Sequence, residues 1–154
     1  MQERNLTIYF TSDLHSYIYP TDYRSQKEQD LGLFKCASQF QKDGNTLIID
    51  GGDLLQGSPL GAFCHDTVGS AAQFAQIMNR YGYDYVTLGN HDFNYGMPYL
   101  DSYLDALRAR CVCENVRWAG GGVRFPARVH VLENGLRIGI VGIVTDYVNI
   151  WERP

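Results

Sequence analysis

The sequence predicts an α/β fold built on a largely parallel sheet. Short apolar runs alternate with amphipathic stretches in the order β-α-β-α-β-α-β, and a hairpin pattern follows. The second run, residues 45–50 (NTLIID), is continuously apolar at its centre, as a strand is when both faces of its sheet are covered. No repeat, charge block or Pro/Gly/Ser-rich linker divides the 154 residues, so they are read as one unit. Strands alternating with helical stretches favour right-handed crossovers and a parallel sheet.

Residues 6–11 (LTIYFT), rich in β-branched and aromatic side chains, predict the first strand. Residues 16–29 are polar, contain Pro20 and predict a long loop. Asp30 is the expected cap of a helix over 31–41, with Leu33, Phe34, Ala37 and Phe40 on its inner face. Ser70 and Gln73 form a capping-box pattern for a second helix, whose core face carries Phe74, Met78 and Tyr81 and which Gly82 stops. Residues 85–88 predict the third strand. Pro98 suits the first turn of a third helix with Leu100, Tyr103, Leu104 and Leu107 inward and Asp101, Asp105 and Arg108 outward. Residues 111–116 predict a fourth strand, with Cys111 and Cys113 on one face. Residues 129–133 and 136–144 predict a hairpin closed by a tight Asn134-Gly135 turn.

Composition narrows the function classes. With 45% hydrophobic and 19% charged residues there is material for a core, and disorder is not expected. The net charge of −4 is a poor match to a phosphate backbone, so nucleic acid is not an expected partner. No apolar run reaches the roughly 18–20 residues that span a bilayer, so no membrane partner is expected. The first five residues lack the basic and apolar regions of a signal peptide, which predicts a cytoplasmic chain as given, periplasmic or extracellular if a leader was removed. The four cysteines contain no C-x-x-C pair and are expected to be reduced thiols.

The chemistry is predicted where ligands bind in open α/β sheets, beyond the carboxyl ends of the strands. Ser12-Asp13-Leu14-His15 follows the first strand, Asp50-Gly51-Gly52-Asp53 the second and Gly89-Asn90-His91-Asp92 the third. A carboxylate and an imidazole one residue apart, Asp13 and His15, suit a borderline divalent metal. Asp53 has two oxygens and can bridge two ions, and Asn90 offers a neutral carbonyl. His91 is then free to donate a proton or steady charge, and Asp92 is expected to orient its ring. Two metals about 3.5–4 Å apart would clamp a phosphate. Each motif alone is ordinary turn chemistry; the three together, each after a predicted strand, are not.

The longer strings 11–16 (TSDLHS), 52–60 (GDLLQGSPL) and 89–96 (GNHDFNYG) resemble the calcineurin-like metallophosphoesterase superfamily, in its 5′-nucleotidase and 2′,3′-cyclic-nucleotide 2′-phosphodiesterase branch. Ser58-Pro59, Asn94-Tyr95-Gly96 and residues 138–154 resemble the cyclic-phosphodiesterase side. The resemblance covers essentially the whole chain. It implies a layered α/β sandwich of the metallophosphoesterase type, of which residues 1–154 are the N-terminal half. It implies two divalent metal ions (Mn, Zn, Fe, Mg or Ca): Asp13, His15 and Asp53 on one, Asp53 and Asn90 on the other. It implies a nucleotide or other phosphoester substrate held at Asn90 and His91, hydrolysis by metal-activated water, and His91 with Asp92 as the catalytic pair.

The superfamily pattern continues with a later His and a Gly-His-x-His motif. This chain has only His15, His65, His91 and His130, so the resemblance implies that further ligands and the base-holding domain of the nucleotidases are expected outside it. The chain alone is therefore expected to be a poor catalyst, and its hairpin to leave an apolar face that favours self-association. The competing expectation is a non-catalytic metal-binding or interaction module. His65 is expected on a solvated loop or helix start, and His130 facing solvent or pairing across the hairpin. Tyr17, Tyr19 and Tyr23 are expected to pack the long loop, and Gly120-Gly121-Gly122 to form a flexible turn.

Overall fold

The computed structural model describes residues 3–25 and 27–152, so Met1, Gln2, Gln26, Arg153 and Pro154 of the strings above lie outside it. Its centre is a four-stranded parallel sheet in the order β1 (Thr7–Thr11), β2 (Thr46–Asp50), β3 (Tyr85–Val86) and β4 (Arg110–Cys111). The register aligns Thr11 with Asp50 and Asp50 with Val86, so the three strands that precede the motifs end level with one another. Helices α1 (Leu33–Ala37), α2 (Pro59–Phe63), α3 (Ala72–Arg80) and α4 (Met97–Ala106) follow in chain order. Ile48 and Val86 of the sheet join Leu33, Phe74, Met78, Leu100 and Tyr103 of the helices in the main core. The α/β class expected from the pattern is the class observed.

A hairpin of β7 (Arg128–Val131) and β8 (Arg137–Ile140) supplies the opposite sheet face, where Leu132 and Ile140 pack on Leu47, Tyr85 and Val112. That cover is partial. Ile8 and Phe10 of the edge strand β1 are exposed, as are Val129, Val131, Val141 and Ile143. An antiparallel pair, β5 (Cys113–Arg117) and β6 (Val123–Phe125), lies beyond β4, and α5 (Val148–Trp151) ends the described chain. Among the described residues no helix is long and apolar enough to cross a membrane.

Several elements differ from the sequence pattern, each for a tertiary reason. The helix expected over 31–41 is only five residues long. Asp30 does not cap it; the carbonyls of Tyr17 and Ile18 take the N–H groups of Leu33 and Phe34. Gly32 at φ 84° makes that approach possible, since a Cβ there would sit 2.4 Å from Tyr19 O. Ser38 ends the helix by donating its hydroxyl to Lys35 O. The second helix lacks the expected capping box: its N-cap is Ala71, Ser70 Oγ accepts only from Ala72 N, and Gln73 reaches the Ser70 carbonyl rather than its N–H.

The single strand expected over 111–116 is two, separated at Val112, so Cys111 and Cys113 belong to different sheets. All four cysteines are free. Gly120-Gly121-Gly122 lies in the connection from β5 to β6, where Trp118 N donates to Gly122 O. The later hairpin turns through three residues instead of two. Gly135 N donates to Leu132 O, Leu132 N donates to Leu136 O, and only Gly135 has positive φ. That is the pattern of a type I turn with a glycine bulge, not of a two-residue Asn-Gly turn, which needs positive φ at both positions.

Candidate metal centre

Beyond the level strand ends the first two loops continue to zip together. Gly51 N donates to Thr11 O, Asp13 N to Gly52 O, His15 N to Asp53 O and Ser16 N to Leu54 O. This ladder brings the 13–15 turn against Asp53. Asp13, His15 and Asp53 each present a ligand atom, and those atoms lie within 4.8 Å of one another. His15 Nδ1 lies 2.8 Å from the Gln56 carbonyl. A carbonyl only accepts, so Nδ1 carries the proton and Nε2 keeps its lone pair for a metal. Two carboxylates and a neutral imidazole with a fixed tautomer are a fitting donor set for a divalent ion.

The backbone at these positions is strained. Among the described residues the non-glycine residues with positive φ are Asp13 (55°), His15 (46°), Ser16 (61°) and Asp53 (56°). Each such residue costs on the order of 1 kcal/mol or more, and such strain clusters at functional sites. Here it belongs to Asp13, His15 and Asp53, three of the four metal-ligand candidates, and to Ser16 beside them. The glycines between them allow the close approach: a Cβ on Gly52 would sit 2.2 Å from Gly89 N, and one on Gly57 would sit 2.7 Å from His15 Cβ.

The third loop forms a 3-10 turn, Asn90–Phe93, after Gly89. His91 N donates to Asp53 Oδ1 at 2.7 Å, and the His91 ring centroid lies 5.2 Å from that of His15, edge to face. Asn90 starts this turn. Asp13, His15, Asp53 and His91 thus come to one edge of the sheet.

Asp92 does not orient the His91 ring. It is 3% exposed, and its carboxylate accepts from four backbone N–H groups: Leu54 and Leu55 on Oδ1, Asp53 and Gly89 on Oδ2, at 2.9–3.0 Å. Burial pushes its carboxyl above the usual range, against the pull of those N–H donors. The partner of the His91 ring is Asn94, whose Oδ1 lies 2.7 Å from Nδ1. Asn94 in turn donates Nδ2–H to Glu152. The i, i+3 spacing of His91 and Asn94 on a helical turn was a readable signal for the first contact. No local pattern announces the second, 58 residues away.

Behind the site, Asp50 is buried at 1% exposure and accepts the Thr11 hydroxyl at 2.5 Å and Gly52 N–H at 3.0 Å. Burial pushes its carboxyl up to about 7. A cleft of about 1030 Å³ opens beside the His91 turn, lined in part by Phe93, Asn94, Trp118, Arg124 and Glu152. Its volume is at the upper end of small-molecule pockets, roughly 300–1,000 Å³.

The weaker candidates lie elsewhere. His65 sits in a π-helical turn, Cys64–Val68, stacked 4.1 Å from the Tyr95 ring. His130 is on β7, and its Nδ1 lies 3.1 Å from the Tyr85 hydroxyl. Tyr17 and Tyr23 pack edge to face within the long loop, and Tyr19 packs on Phe34.

A family model described as calcineurin-like phosphoesterase matches residues 6–151. The chain is 34% identical, over 97% of its length, to the trifunctional nucleotide phosphoesterase protein YfkN of Bacillus subtilis, and covers 12% of that protein. It is 32% identical to the 2′,3′-cyclic-nucleotide 2′-phosphodiesterase/3′-nucleotidase of Yersinia enterocolitica over 97% of its length, covering 26% of that relative. Among solved structures, a putative 5′-nucleotidase from Staphylococcus aureus superposes with a TM-score of 0.82 at 32% identity; the match covers 96% of this chain and 30% of that one. The chain therefore spans about a quarter or less of the length of these two relatives.

Proposed function

Because the chain belongs to the calcineurin-like phosphoesterase family, we propose that residues 1–154 are the N-terminal part of a catalytic domain that hydrolyses nucleotide phosphoesters. The relatives named for 2′,3′-cyclic nucleotides and 5′-nucleotides point to that substrate class. The observation that carries the reading is the convergence of Asp13, His15 and Asp53 on strained backbone at the strand ends.

In this reading Asp13, His15 Nε2 and Asp53 hold one divalent ion, of the Mn, Zn, Fe, Mg or Ca class. Asp53 and Asn90 would hold a second ion. Bound divalent metal supplies Lewis-acid polarisation of the phosphoryl oxygens and acidifies water near neutral pH. Asn90 and His91 hold the phosphoryl group from the third loop. His91 steadies the charge developing on it or hands a proton to the leaving oxygen through Nε2. Asp92 acts through the backbone: its four bonds fix the Asp53 and His91 turns relative to each other.

The chain brings three side chains to the first ion and two to the second, so residues 1–154 alone should bind metal weakly and turn over slowly. The test is Mn binding by the purified chain, with hydrolysis of 2′,3′-cyclic AMP and AMP measured alongside. Asp53→Asn abolishes Mn binding, because it removes the shared charge, whereas His91→Ala retains it. Failure of the wild-type chain to bind Mn or Zn refutes the metal site. Fast, chelator-sensitive turnover by the chain alone refutes the need for further ligands.

A further inference from the structure

Two side chains in series hold the His91 ring, and their donor and acceptor chemistry allows one arrangement. Asn94 presents Oδ1 to His91 Nδ1 at 2.7 Å and donates Nδ2–H to Glu152. An amide has one accepting end and one donating end, and an ionised carboxylate accepts only. Glu152 therefore takes the NH2 end of Asn94, which turns Oδ1 toward the ring. Oδ1 also accepts only, so His91 Nδ1 has to carry a proton.

Glu152 follows α5, its own N–H donating to Val148 O at 2.9 Å, and it lines the cleft beside Asn94. We infer that Glu152 is a positioning residue: through the Asn94 amide its carboxylate fixes His91 as the Nδ1–H tautomer and leaves Nε2 as the unengaged ring nitrogen. Among the described residues Nε2 has no hydrogen-bond partner, while Nδ1 is taken. The inference deepens the role given to His91 above and rests on that reading for the use made of Nε2. The tautomer itself needs neither metal nor substrate, so it is measured separately from turnover.

A role confined to tying down α5 would leave the tautomer untouched. The chain is labelled with 15N-histidine and its long-range 1H–15N correlations are recorded at pH 8. His91→Gln identifies the resonances. In the wild type His91 shows a protonated Nδ1. Glu152→Gln, which can still accept from the Asn94 amide, retains that signature. Glu152→Ala lowers the Nδ1–H population. Glu152→Lys, a donor where the carboxylate was an acceptor, turns the amide over and makes Nε2–H the major form. Backbone amide spectra establish that each variant is folded, and Asn94→Ala provides an independent break in the same chain of contacts. An Nε2–H tautomer in the wild type overturns the inference. So does an unchanged Nδ1–H signature in folded Glu152→Ala, Glu152→Lys and Asn94→Ala.

Discussion

Replacing Asp92 by Asn removes one charge and changes almost no volume, yet four backbone bonds depend on that carboxylate. Its Oδ1 accepts from Leu54 and Leu55, and its Oδ2 from Asp53 and Gly89. An Asn keeps one accepting oxygen and turns an NH2 toward the other pair. Two buried N–H groups lose their acceptor, at about 1–3 kcal/mol each. Removing a buried charge offsets part of this, since burial already pushes the Asp92 carboxyl upward. The balance is a loss of about 3 kcal/mol, a large share of the 5–15 kcal/mol that typically holds a domain together. With an m-value of about 2 kcal/mol/M, the urea midpoint falls by roughly 1.5 M. Equilibrium urea denaturation at neutral pH, followed by tryptophan fluorescence and circular dichroism, reads the shift. A midpoint within about 0.3 M of wild type, with an unchanged slope, would refute the view that Asp92 holds the two turns together.

Gly89→Ala places a Cβ 2.2 Å from Asp53 Oδ1 and 2.6 Å from Asp53 N. It should displace Asp53 and weaken Mn binding about ten-fold or more, whereas Gly120→Ala, with nothing within 4 Å, should not; equal affinities in titration calorimetry contradict this. Asp50 predicts a pH dependence. Its folded carboxyl sits at about 7 against an ordinary 3.8, so between those values the native state binds more protons than the unfolded chain. Its contribution therefore favours the fold most at low pH and is lost as pH rises from about 4 to about 7, on the order of 4 kcal/mol in all. Urea midpoints from pH 5 to 8 should fall in the wild type and flatten in Asp50→Asn; parallel profiles would contradict the assignment.

The sequence by itself determined the α/β order and the three turns that carry the candidate ligands. Each is written locally, as an apolar run followed at once by small residues and metal-type side chains. A parallel register aligns Thr11, Asp50 and Val86, so those local signals meet at one edge without further information. The calcineurin-like strings were legible for the same reason: TSDLHS, GDLLQGSPL and GNHDFNYG are each continuous in the chain.

What only the tertiary structure decided is where a side chain's partner lies far along the chain. Asp92 reads as the neighbour of His91, but three of the four backbone N–H groups that take its oxygens lie 37–39 residues earlier. The first helix is shorter than its periodicity because the carbonyls of Tyr17 and Ile18 replace a local cap. The fourth apolar run divides between two sheets because Cys111 pairs toward β3 and Cys113 toward β6. Glu152 meets Asn94 only once α5 has docked beside the His91 turn. Periodicity reports which face of an element is apolar. It carries no record of which distant donor or acceptor will satisfy a buried polar group, and at this site those distant bonds set the geometry.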